Sequence, residues 1–208
     1  MSLHASFVLI EGDHRRAVER LLSELGYSFA VVPRTAPSFS AASKVLFQWQ
    51  VGKSVVKKAV GLVRGWTSLY DPERHLAAEP YALRKLASHS RSRVFSMVCD
   101  ATSGAFGFAL VRGGLARAWF CNASGIVIDE GAPVPEEEGF CHDHPCEDDV
   151  LHVMERVAYP RSALDEPGPW AILTLEAAEA EQAQEAGASG AGGRDYGSAG
   201  KRRWWRFW

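Results

Sequence analysis

Short apolar runs that end at Gly or Pro recur along this chain, and they constrain its fold more than any other feature. Phe7 to Ile10 and Val94 to Cys99 have the length and the Val, Ile and Phe content of buried strands. Gly113-Gly114 separates two further runs and predicts a hairpin, because both residues tolerate positive φ. The chain therefore contains a sheet in which at least some neighbouring strands are antiparallel.

Helical periodicity lies between these runs. Asp13 can cap a helix that ends at Gly26, Pro80 opens a second helix, and Val150 to Val157 forms the apolar face of a third. Further strands are predicted at the following ranges: 27–32, ended by Pro33, then 45–51, 55–70, 105–111, 115–121 and 170–175. The residues between Pro33 and Val45 are predicted to be a loop.

This order of elements predicts an α+β fold, with a mostly antiparallel sheet, helices packed on one face and a flexible C-terminal tail. We expect the globular domain to cover residues 1–175. Residues 176–200 would form an Ala/Glu-rich helix followed by a Gly-rich linker, which has six Gly between residues 187 and 200. Residues 201–208 form a basic and aromatic tail.

The composition excludes some classes of protein. No apolar run approaches the roughly 20 residues of a membrane-spanning helix, and the first residues lack the features of a signal peptide. We therefore expect a cytoplasmic protein whose four Cys stay reduced, with attachment to the inner face of the membrane as the alternative. A chain of this length needs no metal or disulfide to fold, and no cofactor is predicted.

The near-neutral net charge of −2 conceals a segregation of charge along the chain. Residues 25–118 contain 13 basic and 4 acidic residues, whereas residues 119–175 contain 2 basic and 12 acidic residues. In one interpretation the two parts face one another in the fold. In another, the loop Asp129 to Asp149 within this acidic segment is a docking surface that attracts a basic partner protein, and its candidate residues are Asp129, Glu130, Glu136, Glu137, Glu138, Asp143, Glu147, Asp148 and Asp149. Nucleic-acid binding by the basic part is the least favoured interpretation, because no recognition motif is present.

The same acidic segment contains possible metal ligands at Cys141, His144, Cys146 and His152. Their spacing matches no standard zinc arrangement, so a polar loop is favoured over a metal site. No catalytic motif occurs, and a triad assembled from Ser103, His89 and Asp100 is only a weak candidate. The sequence therefore favours a non-enzymatic protein.

The C-terminal residues combine four cations with four aromatic side chains. Such a segment can bind an anionic membrane surface or stack on single-stranded nucleic acid. It can also insert aromatic anchors into a partner or into its own domain, or it can be an end without function. The candidate residues are Lys201, Arg202, Arg203, Trp204, Trp205, Arg206, Phe207 and Trp208.

Four consecutive segments, about a third of the chain, resemble known proteins. They are residues 65–71 (Gly-Trp-Thr-Ser-Leu-Tyr-Asp), a helix containing Leu86, the run Val94 to Asp100 and the hairpin Ala105 to Phe120. In this order they resemble uncharacterised bacterial α+β proteins, some of which are similar to immunity proteins of toxin systems. The resemblance implies a bacterial, non-enzymatic role and transfers no catalytic residue.

Together these observations predict a non-catalytic interaction module that binds a protein partner through its acidic surface, in the manner of an inhibitor or immunity protein. The alternative is an adaptor that binds a membrane surface or single-stranded nucleic acid through its C-terminal tail.

Overall fold

The computed structural model describes residues 4–24, 27–46, 56–74, 76–157 and 159–177. Within them the chain forms nine strands, four α-helices and two short 3₁₀ segments, at Pro135–Glu137 and Arg161–Asp165. The helices are α1 (Arg15–Glu24), α2 (Phe39–Leu46), α3 (Pro80–Ser90) and α4 (Glu147–Arg156). The strands are β1 (His4–Glu11), β2 (Tyr27–Ser38), β3 (Val56–Val63), β4 (Trp66–Tyr70), β5 (Val94–Asp100), β6 (Ala105–Arg112), β7 (Leu115–Asn122), β8 (Gly125–Glu130) and β9 (Pro167–Ala177).

All nine described strands belong to one sheet in the order β2-β9-β3-β4-β1-β5-β6-β7-β8. Every pairing between neighbouring strands is antiparallel. Strands β5 to β8 form a meander, β1 lies near the centre, and β9 inserts between β2 and β3. The predicted α+β class and the mostly antiparallel sheet are confirmed.

The helices lie on both faces of the sheet, and not on one face as the order of elements suggested. On one face, α1 and α3 pack against Val8 and Ile10 of β1. On the other face, α2 and α4 pack against Phe7 and Leu9. The four residues of this run are completely buried because both faces of the strand are covered. We call the two sides of the sheet the α3 face and the α4 face.

Two predicted boundaries at the β2 side of the sheet are corrected. Strand β2 continues through Pro33 to Ser38, which an edge strand tolerates because among the described strands only β9 pairs with it. The expected loop and the start of the expected strand at Val45 are instead helix α2, whose Ala42 packs into the core on the α4 face. The remainder of the predicted strand 45–51 lies outside the described residues.

Two further differences concern the second half of the chain. Strand β8 includes Asp129 and Glu130, the first two residues of the predicted acidic loop Asp129 to Asp149. Strand β9 extends to Ala177, so the helix predicted within residues 176–200 does not begin at residue 176. The rest of that helix, the Gly-rich linker and the basic and aromatic tail lie outside the described residues. None of the described helices is long and apolar enough to cross a membrane.

A buried ion pair connects the central strands to the segment before α3. The ammonium group of Lys58 on β3 binds the carboxylate of Asp71, directly after β4, and both side chains are 0% exposed. Lys58 also lies 3.2 Å from a carboxylate oxygen of Glu73. The other oxygen of Asp71 accepts hydrogen bonds from the backbone amides of Leu76 (2.7 Å) and Ala77 (2.9 Å).

The same residues bind the neighbouring strands. The hydroxyl of Ser6 on β1 donates to the backbone carbonyl of Asp71, and the amide of Asp71 donates to the carbonyl of Ser6 at 2.9 Å. The hydroxyl of Ser96 on β5 donates to the carbonyl of Ala77 at 2.7 Å. These bonds fix the chain that leads into α3 against three strands of the sheet.

The charges of Lys58 and Asp71 stabilise each other and thereby offset the cost of burial. Burial alone would raise the pKa of Asp71, but the charge and hydrogen bond of Lys58 and the two backbone amides hold this pKa below its ordinary value. Burial alone would lower the pKa of Lys58, yet the carboxylates of Asp71 and Glu73 raise it. Both groups are therefore charged in the folded protein at neutral pH.

We predict that Lys58→Met lowers the free energy of unfolding by about 3–5 kcal/mol, because it leaves a buried carboxylate without its counterion. Urea denaturation followed by circular dichroism measures this change. Arg15→Ala is the control, since its pair with Asp13 is about half exposed and should contribute less than about 1 kcal/mol. Equal losses in the two variants would contradict this account of the ion pair.

Candidate interaction surface

The nine predicted acidic residues lie between the sheet edge at β8 and helix α4. Asp129 and Glu130 end β8, whereas Glu136 to Glu138 lie in and directly after the first 3₁₀ segment. Asp143 lies in the following loop, and Glu147 to Asp149 form the first turn of α4. The structure thus brings the acidic segment into one region, where arginines from other elements meet it.

Arg117 of β7 is the centre of this region. Its side chain is 2% exposed and forms a two-pronged pair with Glu137, at 2.8 Å and 3.1 Å. It also lies 2.5 Å from a carboxylate oxygen of Asp129. Burial opposes the charge of the guanidinium, but the hydrogen bonds to Glu137 and Asp129 outweigh burial and raise the pKa of Arg117.

Four further arginines pair with the acidic segment. Glu130 binds Arg84 of α3 at 2.9 Å, and Glu136 binds Arg112 of β6 at 2.9 Å. Arg156 of α4 binds Glu138 at 2.7 Å. Arg161, which begins the second 3₁₀ segment, binds Glu147 at 3.1 Å and Asp148 at 3.0 Å. Much of the segregated charge is thus joined within the fold.

The acids in the first turn of α4 have a local role. The backbone amide of Cys146 donates to the carboxylate of Asp149 at 2.8 Å, which caps the helix. Negative side chains in a first turn also interact favourably with the positive end of the helix dipole. Helix geometry therefore accounts for part of the acidic pattern without a partner.

The surface nevertheless stays negative. The ten carboxylates between Asp129 and Glu155 outnumber the five arginines named above. The side chains of Asp129, Glu138 and Asp148 are 56%, 79% and 82% exposed, and Asp143 is exposed as well. Internal pairing thus reduces the negative charge of this surface and leaves several carboxylates in contact with solvent.

Strand β8 forms one edge of the sheet and pairs only with β7 among the described strands. Its Ile126 is 58% exposed, more than any other large apolar side chain in the described part of the chain. Sequence analysis did not identify this strand. The turn at Gly125 followed by Ile126-Val127-Ile128 was the available signal.

Ile126 ends a row of side chains that crosses four strands on the α4 face. The strand register aligns Cys99 of β5, Phe106 of β6, Cys121 of β7 and Ile126 of β8. Cys99 and Cys121 are buried, at 0% and 6% exposure, Phe106 is partly buried, and Ile126 at the edge is 58% exposed. The exposed isoleucine therefore continues the apolar core to the edge strand.

The predicted metal ligands do not converge. Cys141 and Cys146 are free thiols on the surface, and His144 and His152 are exposed. No group of three or more potential ligands forms a metal site among the described residues. A neighbour that the metal hypothesis did not include, His142, instead packs against Trp119 and Phe140, with ring centroids 5.3 Å and 4.9 Å away.

The candidate triad is not assembled either. The hydroxyl of Ser103 donates to Asp100 at 2.6 Å, and the same carboxylate binds Arg74. His89 lies at the other end of β5, a strand of seven residues, which corresponds to about 20 Å. Its Nε2 atom is 3.5 Å from Glu24 of α1.

Comparison with protein-family models, with curated proteins and with solved structures gave no match. The resemblance to immunity-like bacterial proteins therefore stays a prediction.

We predict that Arg117→Met lowers the free energy of unfolding by about 3–5 kcal/mol, because Glu137, only 3% exposed, loses its partner. Arg117→Lys should recover only part of this loss, since an ammonium group cannot reproduce the two-pronged geometry. Thermal and urea unfolding measure both effects. The control is Arg156→Met, whose partner Glu138 is 79% exposed; a loss of the same size there would refute the special role of Arg117.

Proposed function

We propose that this protein is a non-catalytic interaction module that binds an extended, basic and apolar segment of a partner protein along β8. The observation that carries the proposal is an edge strand with a 58%-exposed isoleucine beside exposed carboxylates. The binding mode is strand addition, in which the partner extends the sheet by one strand.

The backbone of β8 supplies the affinity for an extended segment. One side of the strand binds β7, and no described strand binds the other side. Amide and carbonyl groups along an open edge are a template for a further strand. Strand β8 has six residues, so a partner segment of about the same length covers it completely.

Ile126 supplies an apolar contact at the same edge. It lies opposite Cys121, on the α4 face. An apolar side chain of the added strand would contact Ile126 and extend the row that begins at Cys99. Full burial of an isoleucine contributes about 1.5–3 kcal/mol.

The exposed carboxylates select a basic partner. Asp129 lies on the same face as Ile126 and is 56% exposed. Exposed Asp143 and Asp148 add negative charge around α4. Such a field accelerates the encounter with a positive partner and favours its correct orientation.

The pairing of the buried ionisable groups in the described part of the chain supports a non-catalytic role. Lys58 and Asp71 are buried and bind each other, and Arg117 and Glu137 do the same. These pairs stabilise the fold and are not open to a substrate. Inhibition of a basic toxin is the specific form of binding that we propose for this surface, since part of the chain resembles bacterial proteins of which some are similar to immunity proteins.

We predict that the protein binds a synthetic strand of alternating Lys and Val, about eight residues long. Hydrogen exchange of the amides between Gly125 and Glu130 should slow on binding. Ile126→Ser should weaken binding about tenfold or more, because the apolar contact is lost without a change of charge. Fluorescence anisotropy of the labelled peptide measures the affinity.

The matched control is Tyr81→Ser. Tyr81 is 57% exposed on α3, nearly the same exposure as Ile126, but it lies on the other face of the sheet. The control variant should bind the peptide as the unchanged protein does. Equal weakening in both variants, or binding without protection of β8, would exclude strand addition.

The charge argument gives a second prediction. Asp143→Lys with Asp148→Lys should slow association with the same peptide about three- to tenfold, with a smaller effect on dissociation. Added salt should reduce the difference between this variant and the unchanged protein. Glu137 is unsuitable for charge reversal because it is buried with Arg117. Stopped-flow rates that are insensitive to both changes would remove charge steering from the proposal.

A further inference from the structure

A second concave surface lies on the other side of the molecule from α4. It is a cavity of about 730 Å³ between the C-terminal half of α3, the start of β5 and the β6–β7 turn. Two arginines of the α3 face line it, Arg84 and Arg91, while Arg93 and Glu11 at its edge pair with each other beside Trp66 on the α4 face. The volume lies in the range of cavities that bind small molecules.

Arg91 is held in an unusual conformation at the mouth of this cavity. It follows the last residue of α3 in the left-handed region, with φ of 54°. Glycine is the ordinary residue at this position, and a side chain there costs roughly 1–2 kcal/mol. The side chain is exposed and forms no ion pair with any described residue. A cation is thus kept at this position in spite of backbone strain.

Arg93 is fixed in place, whereas Arg84 can be recruited. Arg93 makes two bonds of 2.8 Å with Glu11, and its guanidinium lies 5.5 Å from the ring of Trp66. Arg84 binds Glu130 at 2.9 Å, and both side chains are nearly half exposed. Exposed pairs of this kind contribute little free energy, so a stronger anion can replace Glu130 as the partner of Arg84.

The opposite wall is free of side chains. Gly113 and Gly114 form the β6–β7 turn with positive φ, and an added Cβ on either would meet no atom within 4 Å. A ligand can therefore approach the backbone of this turn closely. Two hydroxyls, those of Ser88 and Ser92, complete the polar lining.

We propose that this cavity binds a soluble small molecule that carries two or more linked phosphate groups. Guanidinium groups match phosphate oxygens with two parallel hydrogen bonds, and phosphate carries more charge than the carboxylates that it would displace. The negative end of α3, equivalent to about half a charge, opposes binding but is outweighed by Arg91 and by Arg84 once it leaves Glu130. The proposal does not rest on the function proposed for β8, although Arg84 pairs with Glu130 at the end of that strand.

Isothermal titration of the full chain with tripolyphosphate tests this proposal. The key variant is Arg84→Gln with Arg91→Gly, because glycine removes the cation and also relieves the backbone strain at position 91. Its fold should therefore persist, which urea denaturation verifies. The control is Arg20→Ala, an exposed arginine of α1 outside the cavity.

We expect saturable binding that the double variant weakens about tenfold or more, while Arg20→Ala and sulfate at equal ionic strength leave it nearly unchanged. Absence of saturable binding would overturn the proposal. Equal weakening by Arg20→Ala, or full binding by the double variant, would overturn it as well. Either result would show that the measured heat comes from nonspecific binding to the protein surface and not from this cavity.

Discussion

The buried pair of Lys58 and Asp71 is the interaction on which the architecture depends. Two charges at 0% exposure are stable only because each is the partner of the other and because backbone amides satisfy the remaining carboxylate oxygen. Asp71 thereby connects β3, β4 and β1 with the chain that leads into α3. If this carboxylate lost its partner, the entry to α3 would lose its anchor at the same time.

The position of α3 in turn defines both proposed surfaces. Its Arg84 binds Glu130 at the end of β8, and its last turn forms one wall of the arginine-lined cavity. On the opposite side of the sheet, Arg117 fixes the acidic segment by its bonds to Glu137 and Asp129. Buried pairs thus hold the scaffold, while exposed carboxylates and Ile126 remain available at the edge. Burial thus separates the charges that stabilise the fold from those of the proposed binding surface.

Local patterns in the sequence were sufficient for most elements and insufficient for long-range pairing. The run from Phe7 to Ile10 predicted a buried strand, and its lack of alternation is explained by helices on both faces. Strand β8 was not found because its apolar residues directly precede Asp129 and Glu130, which favoured a loop. Charge segregation correctly suggested that the two parts of the chain could face one another. Which arginine meets which carboxylate depends on strand order, which no local pattern contains.

Nuclear magnetic resonance titration of the side-chain carboxyl carbon of Asp71 tests the central claim most directly. Because its pKa is lowered in the folded state, the pair contributes stability above the ordinary value of about 3.9 and loses it as the pH falls through the folded pKa. The account predicts that Asp71 stays ionised below that ordinary value for as long as the protein is folded. Protonation of Asp71 near its ordinary pKa in the intact fold would contradict the account.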